Sequence, residues 1–479
     1  MAFSREIESI RIERANLLRP IRPPRPPVNV SNDTDMMKHV LYSLPLILAC
    51  CSGPTSSHTP TGTASRDYSE VQDHLFLRGD LEHFYGSLQE LENGRRDIVR
   101  VLMFGDSIIW GECLTIRMKR RFQHDFGDGG RGLLNIVDEP ATRLLDHRNR
   151  TRGGWRRFQI PYESFTIPPF PNLGFTGFAY RPTGARPTVH AVAGRDPVRG
   201  IAAWRRRAGA LGLAYTIPEL GPSAKLTDRG AAWRKLRLVL RPDGTATTAR
   251  VTAITESGAT ITMSRDVTAT QARIVPVTFD LPPTRRLSLG FEGGRPFVDA
   301  MAVESARGVS FSPVVLRGLH QTWLLGVDEE IFAGGYRAYA PDLVIFQFGV
   351  NESHSMLSRA GGFSDARYEK QLRDFYARLR RALPNASILL LGPWERMLHG
   401  RVYPAHTRVR EIQKRTAFDM GLAYFDGFRF TGGTQGLLRM ARAGLIQSDL
   451  THTSYPGGHY LADGLYDELM RDYRAWRER

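Results

Sequence analysis

The chain has 479 residues, 42% hydrophobic and 24% charged, which predicts a globular protein with a large core and two folding units. Its formal net charge of +16 attracts polyanions such as nucleic acid, anionic lipid or an acidic cell-wall polymer, although a genome that encodes arginine freely explains the same charge. Zinc-finger spacing, a dense basic tail and RNA-binding aromatic patterns are missing, so nucleic acid is not an expected partner. Two of the three cysteines are adjacent, which excludes a disulfide framework, and without HExxH or paired CxxC patterns we expect no metal and no cofactor.

The first segments of the chain are predicted to serve export. Residues 36–49 join a short basic region to an apolar stretch that is too short to span a bilayer and is typical of a signal peptide. They lead into ILAC, which resembles the lipobox of bacterial lipoproteins and implies a lipidated Cys50 anchored in the cell envelope, at the periplasmic side or the outer membrane. Another export signal or a short buried helix are the alternatives. We interpret residues 1–35 as a disordered leader or a mis-assigned start, and residues 50–70 as a flexible tether.

Residues 71–150 are predicted to begin an α/β domain. A helical pattern covers residues 70–95, and the apolar, β-branched run from Asp97 to Phe104 predicts a buried strand. The strand runs into Gly105-Asp106-Ser107. We expect the backbone freedom of Gly105 to allow a tight turn that presents the Ser107 hydroxyl at the N-terminus of the next helix.

The pattern changes in residues 151–304 and changes back in residues 305–479. Segments such as RKLRLVLRP and ARIVPVTFDL alternate apolar and polar residues between glycine-containing turns, which predicts an inserted β-sandwich. Further on, strands such as PDLVIFQF and SILLL alternate with amphipathic helices. The two α/β stretches therefore predict halves of one doubly wound, flavodoxin-like parallel sheet.

Four short motifs lie where such a sheet places an active site, at the carboxyl ends of strands. They are the turn that ends in Ser107, Gly318 after the strand 308–316, the tripeptide ending in Asn351, and Asp449-Leu450-Thr451-His452 before the last helix. Each motif alone occurs by chance. Their order along the chain, each following a strand or preceding a helix, indicates a single site.

The ordered set resembles the SGNH/GDSL hydrolase superfamily. Ser107, Gly318, Asn351 and His452 match the four residues that give the family its name, and Asp449 matches the acid three positions before the histidine. The resemblance implies an ester hydrolase in which Ser107 attacks, His452 is the base and Asp449 orients it. The backbone N–H groups of Ser107 and Gly318 and the side-chain amide of Asn351 would hold the oxyanion.

Neighbouring residues have competing interpretations. His459 is a rival base, but it lacks an acid three positions before it. Glu352 and His354 are expected in a solvated loop, with the lining of a substrate cleft as the alternative. Asp106 is expected to satisfy backbone donors of its turn rather than to react. Ile108 stands where related cell-wall esterases often have histidine.

A long β segment separates the two α/β stretches. This arrangement resembles that of peptidoglycan O-acetylesterases of bacterial envelopes, in which a carbohydrate-binding-like β-sandwich interrupts the hydrolase. Trp155, Trp204 and Trp233 would then stack on sugar rings, with core packing as the alternative. Arginine clusters at Arg148–Arg157 and Arg205–Arg207 would meet carboxylates of an acidic glycan.

The sequence thus predicts a serine esterase that removes O-acetyl groups from an acylated envelope polysaccharide such as peptidoglycan, through an acyl-enzyme on Ser107. An O-acetyltransferase of the same fold is an alternative, because the same acyl-enzyme can be discharged onto a sugar hydroxyl. An alternative of another class is a glycan-binding envelope lipoprotein with a vestigial hydrolase domain. The sequence decides neither the sugar and acyl group nor the oligomeric state.

Overall fold

A computed structural model of the chain describes residues 75–76, 81–137, 147–160, 169–193, 230–267, 273–358, 362–398 and 400–479. The leader, the signal peptide, Cys50 and the tether lie outside the described residues, as do Trp204 and the cluster Arg205–Arg207. No helix among the residues described is long and apolar enough to cross a bilayer.

The elements fall into three stretches along the chain. The first contains β1 (Leu75–Phe76), α1 (Glu82–Glu92), β2 (Ile98–Gly105), α2 (Cys113–Phe126) and β3 (Gly132–Leu133). The second contains β4 (His147–Arg152), β5 (Trp155–Gln159), β6 (Phe178–Pro182), β7 (Thr188–Ala193), β8 (Trp233–Arg241), β9 (Thr247–Thr255), β10 (Thr260–Asp266), β11 (Val275–Gly293) and β12 (Phe297–Glu304). The third contains β13 (Gly308–Val315), a 3₁₀ helix (Gln321–Gly326), α3 (Glu329–Tyr339), β14 (Leu343–Gln347), α4 (Val350–Ser358), α5 (Asp365–Ala382), β15 (Ser387–Leu391), β16 (Met397–Leu398), β17 (Arg401–Val402), α6 (Pro404–Asp419), β18 (Ala423–Phe425), α7 (Gly427–Thr431), α8 (Gly433–Arg442) and α9 (Tyr455–Arg477).

A six-stranded sheet carries the α/β part in the order β1-β18-β15-β14-β2-β13. Every pair in it is parallel except that of β1 with β18. The chain starts at the centre with β2, moves to one side with β13, and continues on the other side with β14, β15 and β18. The order therefore reverses between β2 and β14, as in doubly wound sheets, and the predicted fold class is confirmed.

Side chains of successive β2 residues point into two different cores. Val101 and Met103 pack in a cluster with apolar residues of α1, α2 and α9. Leu102 and Phe104 pack in a second cluster with residues of α3, α5 and α6. Because helices cover both faces of the sheet, its central strands β2, β14 and β15 are mostly apolar rather than strictly alternating, which is why the sequence identified them.

The middle strands form a ten-stranded sheet along the path β10-β9-β11-β8-β12-β6-β5, to which β3, β4 and β7 are attached. The long strand β11 pairs with β8 from Val275 to Asp280 and again at Thr284, with β9 from Thr284 onwards, and with β7 from Arg286 onwards. Pro282 and Pro283 lie at this change of partner, where proline cannot donate to a ladder. The strand β4 already begins at His147. The inserted sandwich and its limits at 151 and 304 stay a prediction.

Buried ion pairs join the two sheets. Glu304 at the end of β12 is fully buried and accepts hydrogen bonds from Arg100 of β2 at 2.6 Å and from Arg237 of β8 at 3.1 Å. Arg237 also donates to the carbonyls of Ala338 and Tyr339 at the end of α3. Charge-assisted bonds of this kind fix the antiparallel strands against the parallel sheet.

Candidate active site

Three of the sequence motifs meet at one edge of the parallel sheet. The N–H of Leu316, just after β13, donates to Gly105 O at 2.7 Å, and the N–H of Asp106 donates to Gln347 O of β14 at 3.3 Å. The carboxyl ends of β13, β2 and β14 are therefore side by side and level. The segments carrying Gly318, Ser107 and Asn351 leave the sheet from these three ends.

Gly105 is needed for a different reason than the one predicted. It has no positive φ. A Cβ atom at Gly105 would lie 2.8 Å from Ile109 Cδ1 and 3.0 Å from Gln347 Oε1, which is closer than real Cβ contacts. The glycine thus provides space for a close approach rather than backbone freedom.

The Ser107 turn is also longer than predicted. Helix α2 begins at Cys113, so the Ser107 hydroxyl does not lie at the N-terminus of that helix. Asp106 behaves as expected, because its fully buried carboxylate accepts the N–H of Ile108 at 2.9 Å and closes the turn.

Ser107, His452 and Asp449 form a hydrogen-bonded chain. Ser107 Oγ lies 2.8 Å from His452 Nε2, and His452 Nδ1 lies 2.6 Å from Asp449 Oδ2. The other oxygen of Asp449 accepts the backbone N–H groups of Thr451 and His452, both at 3.0 Å. In this arrangement an imidazole can take the serine proton while a carboxylate fixes its tautomer.

The carboxylate of Asp449 remains ionised. Partial burial acts to raise its pKa, but the hydrogen bonds from the His452 side chain and from the two backbone N–H groups outweigh burial and hold the pKa below its ordinary value. The side chains of His452 and Asp449 are 34% and 48% exposed, so a substrate can reach the histidine from solvent.

The rival histidine occupies a different environment. His459 is fully buried in the first turns of α9, its Nδ1 is 3.1 Å from Tyr455 O, and its ring lies 4.5 Å from that of Tyr455. The hydrogen bond to Ser107 is made by His452.

Gly318 and Asn351 are brought together by their neighbours. Gly318 has a φ of 74°, in the left-handed region that favours glycine. The amide nitrogen of Asn351 donates to Leu319 O at 3.2 Å and lies 3.5 Å from Asp106 Oδ2. The Gly318 segment, Asn351 and the Ser107 turn are thus adjacent, while their roles as oxyanion donors stay a prediction.

Glu352 contradicts the expectation of a solvated loop. It lies in the first turn of α4 and is fully buried, with Oε1 accepting the N–H of Gln321 at 3.3 Å. His354 is exposed. Two helical steps of about 100° each place these two side chains on opposite sides of the helix, one inward and one outward.

Two arginines near the site were missed by the sequence analysis. Arg396, in the loop after β15, is 8% exposed and donates to Val350 O at 3.0 Å. Burial lowers the pKa of its guanidinium from the ordinary value. Arg317, which precedes Gly318, lies over the ring of Trp110 at 4.6 Å. Both positions follow strands of the parallel sheet, which is the signal that could have identified them.

A shallow cleft lies between the end of the Ser107 turn, at Gly111 and Glu112, and the antiparallel sheet. Gly111 and Val315 line it on the side of the parallel sheet, and Arg157 and Tyr180 line it on the side of the middle strands. Among the residues that the structure describes, no group of three or more His, Cys, Asp or Glu side chains is placed to hold a metal ion.

No protein-family model and no curated protein sequence matches the chain. Among solved structures, a peptidoglycan O-acetylesterase matches with a TM-score of 0.61 and 19% identity, covering 84% of this chain and 100% of that one. An acetyl xylan esterase, AlAXEase, has a TM-score of 0.27 and 17% identity over 33% of this chain and 81% of its own. A family two carbohydrate esterase from Cellvibrio japonicus has a TM-score of 0.24 and 9% identity over 69% and 99%. By the first of these likenesses, the chain has the SGNH-type fold that its motifs predicted.

Proposed function

We propose that the protein is a serine ester hydrolase that removes O-acyl groups from an envelope polysaccharide such as peptidoglycan. The observation that supports this most is the continuous chain of hydrogen bonds from Ser107 through His452 to Asp449 at the carboxyl edge of a parallel sheet. The envelope location rests on the predicted lipidation of Cys50.

The reaction would proceed in two halves. In the first, Ser107 Oγ attacks the acyl carbonyl while His452 Nε2 takes the hydroxyl proton, and the sugar oxygen leaves with that proton. In the second, water attacks the acyl-serine while His452 Nε2 takes a proton from it, and His452 then returns this proton to Ser107 Oγ as the carboxylic acid leaves. Asp449 stabilises the imidazolium formed in each half.

The oxyanion would be held by donors that converge beside Ser107. The contact of Asn351 with Asp106 Oδ2 is 3.5 Å long and therefore weak, so the developing oxyanion can replace it while the bond to Leu319 O holds the amide in place. Loss of one such donor typically costs about 3 kcal/mol of transition-state stabilisation.

The tryptophans of the middle strands do not support sugar recognition, whereas the arginines do. Trp233 is 3% exposed and packs in the core, and Trp155 uses its indole N–H on Thr188 O at 3.1 Å. Arg150 and Arg152 are exposed on one face of β4, because side chains two positions apart in a strand share a face.

In the described part of the chain, the positive charges of these exposed arginines are also not paired with carboxylates. No hydrogen bond or ion pair to a carboxylate is made by Arg150, Arg152 or Arg156 within the described ranges. Arg156 lies directly across from Arg181 in the β5–β6 pair, and like charges in that position destabilise a sheet. An anionic polymer would offset this repulsion, which favours an acidic glycan over a neutral one.

The proposal is tested with purified protein by acetate release from acetylated peptidoglycan, acetylated xylan and a chromogenic acetyl ester. A fluorophosphonate should label Ser107 covalently, and Ser107→Ala should abolish both labelling and acetate release with an unchanged circular dichroism spectrum. Acetate release by Ser107→Ala at more than about a tenth of the wild-type rate would contradict the proposal. Transfer of acetate to an added sugar in place of its release would assign the transferase alternative.

The polymer part of the proposal has its own test. The double variant Arg150→Gln/Arg152→Gln should lower kcat/KM on an acidic acetylated glycan at low salt and leave the chromogenic ester unaffected. Arg250→Gln is the matched control, because Arg250 lies on β9 of the same sheet but is already paired with Glu292 at 2.9 Å. Equal losses on both substrates would restrict the β4 arginines to a structural role.

A further inference from the structure

Three side chains of α4 contact the chain segment that follows Gly318, and one of them is Ser355, whose Oγ lies 3.0 Å from His320 Nε2. Asn351 donates to Leu319 O at 3.2 Å, and the adjacent Glu352 accepts the N–H of Gln321 through Oε1 at 3.3 Å. The segment Leu319–Gln321 is therefore fastened at both ends to the first turn of α4. The bonds from Asn351 and Glu352 to this segment therefore also determine the distance between Gly318 and Asn351.

Glu352 has an unusual environment for a carboxyl group. Its side chain is fully buried, and Oε2 has no hydrogen-bond partner in the part of the chain that is described. Asp106, also fully buried, lies close enough to act on it electrostatically. An ionised Glu352 would leave one charged oxygen without a donor beside a second buried carboxylate, which is costly. The neutral acid carries no charge, so it avoids the repulsion from Asp106 and reduces the cost of the unpaired oxygen to that of a neutral polar group.

The pKa values agree with this geometry. Burial, and then the charge of Asp106, raise the pKa of Glu352 to about 8. Burial raises the pKa of Asp106 to about 6, against the opposing effects of the Ile108 N–H, His452 and Arg396. Asp106 therefore ionises first as pH rises, and Glu352 follows near the alkaline end of the neutral range.

The other buried ionisable groups packed around Glu352 keep their charge state in the same range. Tyr368 and Tyr376 of α5 have pKa values raised well above the ordinary value by burial and stay neutral. Burial lowers the pKa of His320, before the 3₁₀ helix, and of His406 in α6 to about 3, so both stay neutral. Arg396 keeps its charge.

We propose that Glu352 is a positioning residue of the esterase site, which as a neutral acid holds the Leu319–Gln321 segment against α4 and so fixes Gly318 and Asn351 as oxyanion donors. The inference rests on the proposed ester hydrolysis. Ionisation of Glu352 places a negative charge next to the proposed donor Asn351 in the chain and near Asp106. That charge opposes the negative charge that develops on the substrate oxygen, and the rate falls.

The test is the pH dependence of kcat/KM on a chromogenic acetyl ester, with hydrolysis in the presence of Ser107→Ala subtracted at each pH. The wild type should lose activity on the alkaline side as Glu352 ionises. Glu352→Gln keeps an acceptor oxygen for the Gln321 N–H but cannot ionise, so the alkaline loss should disappear while the acid side of the profile stays unchanged. Glu352→Ala should be slower than Glu352→Gln by about 10-fold or more at every pH.

Two further variants separate positioning from general stability. Asp106→Asn removes the neighbouring charge, so the alkaline limb should move to lower pH even if overall activity drops. Glu304→Gln changes another fully buried carboxyl, which is paired with Arg100 and Arg237, and should leave the limb where it is.

The inference is overturned if Glu352→Gln keeps the wild-type alkaline limb, if Glu352→Ala equals Glu352→Gln, or if the limb of folded Asp106→Asn does not move. These outcomes require an active wild type. A wild type that releases no acetate and is not labelled at Ser107 would instead refute the proposed function, so the two failures are distinguishable.

Discussion

Replacement of Asp449 by asparagine tests the hydrogen-bonded chain most directly, because the surrounding hydrogen bonds determine which atom of the amide faces His452. Oδ1 of Asp449 accepts two backbone N–H groups, from Thr451 and His452, each at 3.0 Å. An asparagine keeps those bonds only with its oxygen at this position. Its NH₂ group then faces His452 Nδ1 at the place where Oδ2 is now 2.6 Å away. Nδ1 must become an acceptor, and the proton moves to Nε2, which can no longer take the proton of Ser107.

The expected size of the effect follows from the exposure of the site. In a serine triad with a buried aspartate, this replacement lowers kcat by about 10⁴-fold. Because the Asp449 side chain is 48% exposed, water recovers part of the loss, and we expect about 10³-fold, or about 4 kcal/mol. Asp449→Ala admits water that can accept from Nδ1 without imposing the wrong tautomer, so we expect a smaller loss of about 10²-fold.

The assay is kcat on a chromogenic acetyl ester, followed by the initial rate of acylation in a single turnover. Asp374→Asn is the matched control, since the Asp374 side chain is 50% exposed and pairs only with Lys370 on the surface of α5. It should leave kcat unchanged. An Asp449→Asn enzyme as active as Asp449→Ala, or more active, would refute the tautomer argument.

Three further predictions concern single residues. His452→Ala should lower kcat nearly as much as loss of Ser107. His459→Ala should leave the kcat of the folded enzyme within about 10-fold of the wild-type value, and steady-state kinetics on both variants will decide between the two histidines. Asn351→Ala should lower kcat by about 10²–10³-fold with little change in KM, and a change in KM alone would remove Asn351 from the oxyanion site. Cys50 should be the lipidated first residue of the mature protein, and an intact mass of membrane-extracted protein without a diacylglyceryl group would reject this.

The parallel sheet could be predicted because its strands are buried on both faces. DIVRVLMF and PDLVIFQF are runs in which apolar residues dominate, with Arg100 and Gln347 as polar exceptions, and they became β2 and β14. The motifs could be placed for the same reason, since Ser107 and Asn351 come directly after these runs. Proximity of Ser107 to Asn351 then followed from the rule that the carboxyl ends of parallel strands share one edge, whereas His452 precedes α9 and its place beside Ser107 was implied by the family resemblance.

The local shape of the site could not be predicted, because it depends on groups far away in sequence. The need for Gly105 comes partly from Gln347 Oε1, on a strand more than two hundred residues later. The burial of Glu352 depends on the N–H of Gln321 and on Asp106, neither of which is visible in the pattern of α4. The exchange of partners along β11 is likewise a matter of non-local pairing, and the two prolines at its middle only indicate an interruption.

Backbone strain gives an independent indication of which turns serve the site. Among the described residues, three that are not glycine have a positive φ: Glu112, Ala340 and Leu450. Glu112 ends the turn that begins at Ser107, and Leu450 lies between Asp449 and His452. A left-handed conformation costs an ordinary residue about 1–2 kcal/mol, so these two turns are held by their surroundings against a local preference. Glu112 is 3% exposed and bound by Arg131, and the carbonyl of Leu450 accepts the N–H of Met397 at 3.1 Å. Strained turns therefore lie on both sides of the Ser107–His452 contact. Such strain lowers the stability of the fold, and it is expected at sites where two reacting groups must be held at a fixed distance.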